Sequence, residues 1–105
     1  MPKIEADTGV ITQINVFTVP EGGQQVLIDL LVEAAQTCSH VDGWMSASLH
    51  RCLDGKRVVN YAQARDQAAM RRVFETLQAG GFLERNKALG TAHPGLYEVV
   101  FTLEA

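Results

Sequence analysis

The alternation of apolar and polar positions changes period several times along the chain. From Gly9 to Val19, GVITQINVFTV alternates with period two and is rich in β-branched residues. This predicts a strand with Val10, Thr12, Ile14, Val16 and Thr18 on one face and Ile11, Gln13, Asn15, Phe17 and Val19 on the other. Apolar side chains on both faces imply that both are covered. Pro20-Glu21-Gly22-Gly23 ends the strand, because proline lacks the N–H that a ladder needs and glycine permits a sharp turn. Leu27, Leu30, Leu31, Ala34 and Ala35 then recur at helical spacing between Gln24 and Thr37, predicting a helix with one broad apolar face.

The stretch from Asp42 to Asp66, DGWMSASLHRCLDGKRVVNYAQARD, predicts a hairpin about Asp54-Gly55, a two-residue loop that accepts the positive φ angles of a type I′ turn. With Leu53 and Lys56 flanking that loop, Leu49 faces Asn60, Ala47 faces Ala62 and Met45 faces Ala64. One surface then carries Met45, Ala47, Leu49, Val58, Asn60, Ala62 and Ala64. The other carries Trp44, Ser46, Ser48, His50, Cys52, Arg57, Val59, Tyr61 and Gln63, too polar for a dry core and too aromatic for an idle solvated face. It is expected to be an interface.

Asp66 is the expected N-cap of a second helix, whose apolar side is Ala69, Met70, Val73, Phe74 and Leu77 and which stops at Gly80-Gly81. Phe82 to Gly90, FLERNKALG, is compatible with a short helical turn and commits to little else. His93-Pro94-Gly95 breaks the chain, and Leu96 to Leu103 alternates again as a last strand. The order β-α-β-β-α-β predicts an α+β, ferredoxin-like fold, a four-stranded antiparallel sheet with both helices on one face. Left open, the opposite face would expose Trp44 and Tyr61 to water, so a homodimer packed through that face is expected.

A chain of 105 residues fits one domain. Its 47% hydrophobic and 20% charged residues argue against disorder. With a net charge of −3 and nine basic residues scattered along the chain, there is no cationic stripe for phosphates, so nucleic acid is not an expected partner. No apolar run approaches the roughly 18 residues that span a bilayer, and MPKIEADTG lacks the basic and apolar regions of a secretory signal. A cytoplasmic protein without a membrane partner is expected, with Cys38 and Cys52 as free thiols.

Asn60 stands out as the candidate for chemistry. By the hairpin register it projects among alanines toward the helices, where an unpaired amide costs about 1–3 kcal/mol. Either it bonds a loop backbone or a buried water, or it is the polar anchor of a pocket. Ala47, Ala62 and Ala64 would leave room there for a flat small molecule, with Leu49 and Phe74 as apolar lining. His40, His50 and His93 lie far apart with no His-x-x-His spacing or carboxylate pair, so no metal site is expected. G-x-S-x-G, Walker and G-x-G-x-x-G motifs do not occur.

INVFTV, the proline-glycine break after it, the hairpin segments SASLHR and LDGKRVVNYAQ and the following helix resemble the antibiotic biosynthesis monooxygenase family of dimeric α+β barrels. The likeness spans residues 9 to 103 in layout and is most specific over residues 48 to 63. It implies a cofactor-independent monooxygenase that converts an anthrone-type polyketide phenol to a quinone; some relatives degrade haem or act on small signalling quinones. In the quinone-forming members the third strand reads Asn-Tyr-Ala-Gln-Trp, with the asparagine and tryptophan facing the pocket. Here Asn60, Tyr61, Ala62 and Gln63 match, and Ala64 stands in place of the tryptophan. Strand parity puts Trp44 on the other face, so the same departure also fits a non-catalytic binding or structural protein.

Overall fold

The computed structural model describes residues 2–105. Seven elements follow one another: β1 (Ile11–Thr18), α1 (Gln24–Cys38), β2 (Trp44–Arg51), β3 (Arg57–Ala64), α2 (Gln67–Ala79), α3 (Phe82–Leu89) and β4 (Thr91–Tyr97). The four strands form one antiparallel sheet in the order β2-β3-β1-β4. This is the ferredoxin-like arrangement, with α3 added between α2 and the last strand. β1 and β3 occupy the middle of the sheet and carry its most enclosed side chains, among them Phe17 and Val58.

Phe17 and Val58 are direct cross-strand partners, and Leu27 and Leu31 from α1 pack on them in the main apolar cluster. Leu30 and Ala34 of the same helix meet Phe82 of α3. One apolar stripe therefore holds both the sheet and the added helix. α2 is fixed at its start by Asp66, whose side chain accepts from the Ala69 N–H at 2.8 Å, and it buries Ala69 and Met70 against Ala64.

The hairpin register is as expected from Ser46 to Arg51, with Leu49 opposite Asn60 and Ala47 opposite Ala62. Its loop differs. Gly55 N–H donates to Cys52 O at 3.1 Å and Cys52 N–H to Arg57 O at 3.0 Å, with Gly55 at φ 79° and Asp54 outside the left-handed region. A type I′ turn needs both central residues at positive φ, so the loop is a longer turn that places only glycine there. The Cys52 side chain, the Lys56 backbone N–H and the Arg57 guanidinium hold the Asp54 carboxyl down at about 2, against an ordinary 3.8. Because this pKa is depressed by folding, the charged carboxylate stabilises the hairpin above the ordinary range, and that contribution is lost as pH falls from about 4 toward 2. Thermal melts across that window should show a shallower acid loss for Asp54→Asn than for the wild type.

Two further expectations need correction. The last strand is Thr91–Tyr97, not Leu96 to Leu103. It runs through His93-Pro94-Gly95, which pair with Val16, Asn15 and Ile14. Pro94 is tolerated because β4 lies at the sheet edge, where one side of the strand has no ladder to supply. Beyond it, Val99 accepts from the Asp7 N–H, while Val100, Phe101 and Leu103 stay exposed. The second correction concerns the start of β2: a bulge between Trp44 and Ser46 pairs Trp44, rather than Met45, with Ala64. One extra residue reverses the side-chain alternation, so Trp44 joins the helix-facing surface and Met45 is exposed.

Candidate active site

The helix-facing side of the sheet is lined by small side chains where a full core would need large ones. Ala47, Ala62, Ala34 and Ala35 leave a cavity of about 470 Å³ between the sheet, α1, α2 and α3. Its apolar wall includes Phe17, Leu31, Phe74 and Leu77, and its polar groups include Asn15, Asn60 and Asn86. A second cavity of about 540 Å³ adjoins it toward α2 and β4 and shares Gln13, Phe74, Leu77 and Pro94. Both volumes are of the size that small-molecule sites take.

Asn60 on β3 and Asn15 on β1 are direct cross-strand partners, both partly buried. Antiparallel pairing puts their Cα atoms about 4.5–5.5 Å apart, close enough for both amides to reach one bound oxygen. The Oδ1 atoms of Asn15, Asn60 and Asn86 are each buried without a hydrogen-bond partner among the described residues. Three such amides at one cavity are costly, at about 1–3 kcal/mol for each unpaired group. Asn60 therefore does not bond a loop backbone; it stands with its neighbours on a polar patch of an otherwise apolar wall.

Of the other residues expected at the site, Ala47, Ala62 and Phe74 line the cavity with Asn60. Leu49 and Ala64 do not. Leu49 packs on the cluster of Phe17, Leu27, Leu31 and Val58, and Ala64 is fully enclosed by Ala69, Met70 and Ile11. Trp44, expected on the opposite face, lines the cavity because of the bulge at Met45. Asn15 and Asn86 were not among the expected site residues, and neither was Cys38, which also lines the wall. Burial pushes the Cys38 thiol up, so it is neutral there, and its Sγ lies 4.0 Å from Val73 O.

Ionisable side chains are sparse at this cavity. Glu84 and Lys87 of α3 sit at its exposed margin and pair with each other at 3.3 Å. His93 pairs with Val16 and His50 with Val59, which places both on the opposite sheet face. Among the described residues no group of three or more His, Cys, Asp or Glu side chains comes together as a metal site. The arrangement suits binding a flat, largely apolar molecule and placing two amides against an oxygen on it.

No family model matches the sequence. The fold is shared with SnoaB, a cofactor-independent oxygenase from Streptomyces nogalater, at a TM-score of 0.81 and 24% identity over 92% of this chain and 99% of that one. A monooxygenase of Streptomyces coelicolor from the gene ActVA-Orf6, solved with nanaomycin D, superposes at 0.79 with 25% identity over 90% and 91%. The sequence is 39% identical over 72 residues to tetracenomycin-F1 monooxygenase of Streptomyces glaucescens, a match covering 68% of this chain and 64% of that protein. In sequence and in fold the chain is similar to these Streptomyces monooxygenases. It spans a little under two thirds of the curated relative that it matches. Ala64, at the end of β3, is enclosed by side chains of α2 and forms no part of the cavity wall.

Proposed function

We propose that the protein is a monooxygenase that oxidises an aromatic polyketide phenol or anthrone to a quinone without a bound cofactor. The observation that carries this reading is the Asn15–Asn60 pair, two cross-strand amides side by side on the wall of a largely apolar cavity of about 470 Å³. A cofactor-free oxygenase asks the protein for little else, since the electrons come from the substrate. The bound anthrone loses a proton to solvent water at the open margin of the cavity to give an enolate, and the amide N–H groups of Asn15 and Asn60 donate to its oxygen, holding the charge in the apolar interior of the site. The enolate carbon passes one electron to O2, the resulting radical pair combines to a carbon-bound peroxide anion, and that anion takes a proton back from water to give the hydroperoxide. Loss of water from that hydroperoxide leaves the quinone carbonyl. One oxygen atom enters the substrate, the other leaves as water, and the CH2 that becomes C=O supplies all the electrons.

A purely structural role would fill the space between sheet and helices with Leu27, Leu31, Phe74 and Leu77. Leu27 lies in the core, and the other three line the space instead of filling it. A second copy of this chain is inferred to cover the open sheet face, where Ile14, Val16, Val59 and Tyr61 are only partly buried. The protein incubated with anthrone, chelator and no added flavin, metal or nicotinamide should consume one O2 per quinone formed, as a species of twice the chain mass by light scattering. A folded protein inert across a panel of hydroxylated anthrones would end the oxygenase reading.

A further inference from the structure

The bulge in β2 has a chemical outcome. Between Trp44 and Ser46 the ladder takes up one extra residue, so Trp44 stands opposite Ala64 and its side chain joins Ala47, Asn60 and Ala62 at the cavity. Several contacts hold this orientation. Gly43 sits at φ 88°, and a Cβ there would lie 2.4 Å from the Ala69 Cβ, so only glycine lets the start of β2 approach α2 so closely. On either side of it, Trp44 N–H donates to Val41 O at 3.0 Å and Arg65 N–H to Gly43 O at 2.8 Å. Arg72 clamps Asp42 O at 2.9 Å, and both Arg72 and Arg65 face the Asp42 carboxylate.

We infer that Trp44 is a substrate-binding residue of this site, the aromatic wall against which a flat substrate stacks while Asn60 and Asn15 hold its oxygen. This rests on the oxygenase reading and adds a residue to it. The side chains beside the indole on the sheet are alanines, which leave room for a ring above them. An indole is the largest rigid surface the chain has to offer, and it is the single tryptophan in the sequence. The stack would orient the ring so that its oxygen points at the amides, which makes Trp44 a determinant of affinity and specificity.

The test uses dihydroxyanthraquinone, which resembles the product and is not itself oxidised. Its binding is measured by equilibrium dialysis, independently of tryptophan, and in parallel by the emission of Trp44. Emission should fall along the dialysis isotherm. Trp44→Ala and Trp44→Leu should each weaken binding roughly tenfold and raise KM more than they lower kcat, whereas Trp44→Phe, which keeps a ring, should stay within about threefold of wild type. Binding by dialysis with unchanged Trp44 emission, or equal affinity for the Leu and Trp proteins, would overturn the assignment while leaving the oxygenase reading intact. Failure of the wild type to bind any hydroxylated anthraquinone would instead remove the oxygenase reading, and this inference with it.

Discussion

Asn60→Ala is expected to lower kcat for anthrone oxidation by roughly 10²–10³-fold, the usual cost of losing one donor aimed at developing negative charge. It should do so without lowering the melting temperature. The Asn60 Oδ1 is buried without a partner, so truncating the side chain removes an unsatisfied group worth about 1–3 kcal/mol as well as some packing, and the two oppose each other. Asn15→Ala should behave the same way. Because both amides are placed to serve one oxygen, the double variant should lose far less than the product of the two single losses. Steady-state oxygen uptake paired with thermal melts decides the matter. Loss of stability at unchanged kcat would make the asparagines structural.

The fold was legible wherever local pattern and global packing agree. β1, α1, the hairpin and the Asp66-capped α2 all follow from period and punctuation, and the register that sets Asn60 among alanines survives even though the loop is not a type I′ turn. β4 was misplaced because Pro94 was read as a breaker. That rule holds for a central strand and relaxes at an edge, and edge position is a property of the assembled sheet. α3 offered only eight residues between Gly81 and Gly90, too short for periodicity to speak, and its stability comes from Phe82 meeting Leu30 and Ala34.

The site was half legible for a related reason. Asn60 could be found because a hairpin fixes its neighbours locally, but its partner Asn15 lies 45 positions earlier and meets it only through the long-range β1–β3 pairing. In the sequence Asn15 is one polar residue in a strand with two apolar faces. Trp44 was put on the wrong face because parity was carried through a bulge, and one inserted residue reverses every side chain beyond it. Gly43, at φ 88° beside Ala69, was the available hint that the strand does not begin regularly.

Leu27→Ala is the substitution expected to cost most stability, about 3–5 kcal/mol. Leu27 is fully enclosed and joins α1 to the middle of the sheet through Phe17, Leu31 and Val58. The loss combines the transfer free energy of the missing atoms with the void left behind, and little around it can move: Phe17 and Val58 are locked as cross-strand partners. Since domains of this size are stable by about 5–15 kcal/mol, the variant should retain only part of its margin, seen as a large drop in urea midpoint at similar slope. Leu27 is not among the residues that line the cavity, so the fraction that remains folded should bind dihydroxyanthraquinone with near wild-type affinity. The contrast is Leu53→Ala at the hairpin tip, where the side chain is fully exposed and the change should stay within about 0.5 kcal/mol. Equal midpoints for the two variants would mean that α1 is not held to the sheet through this cluster.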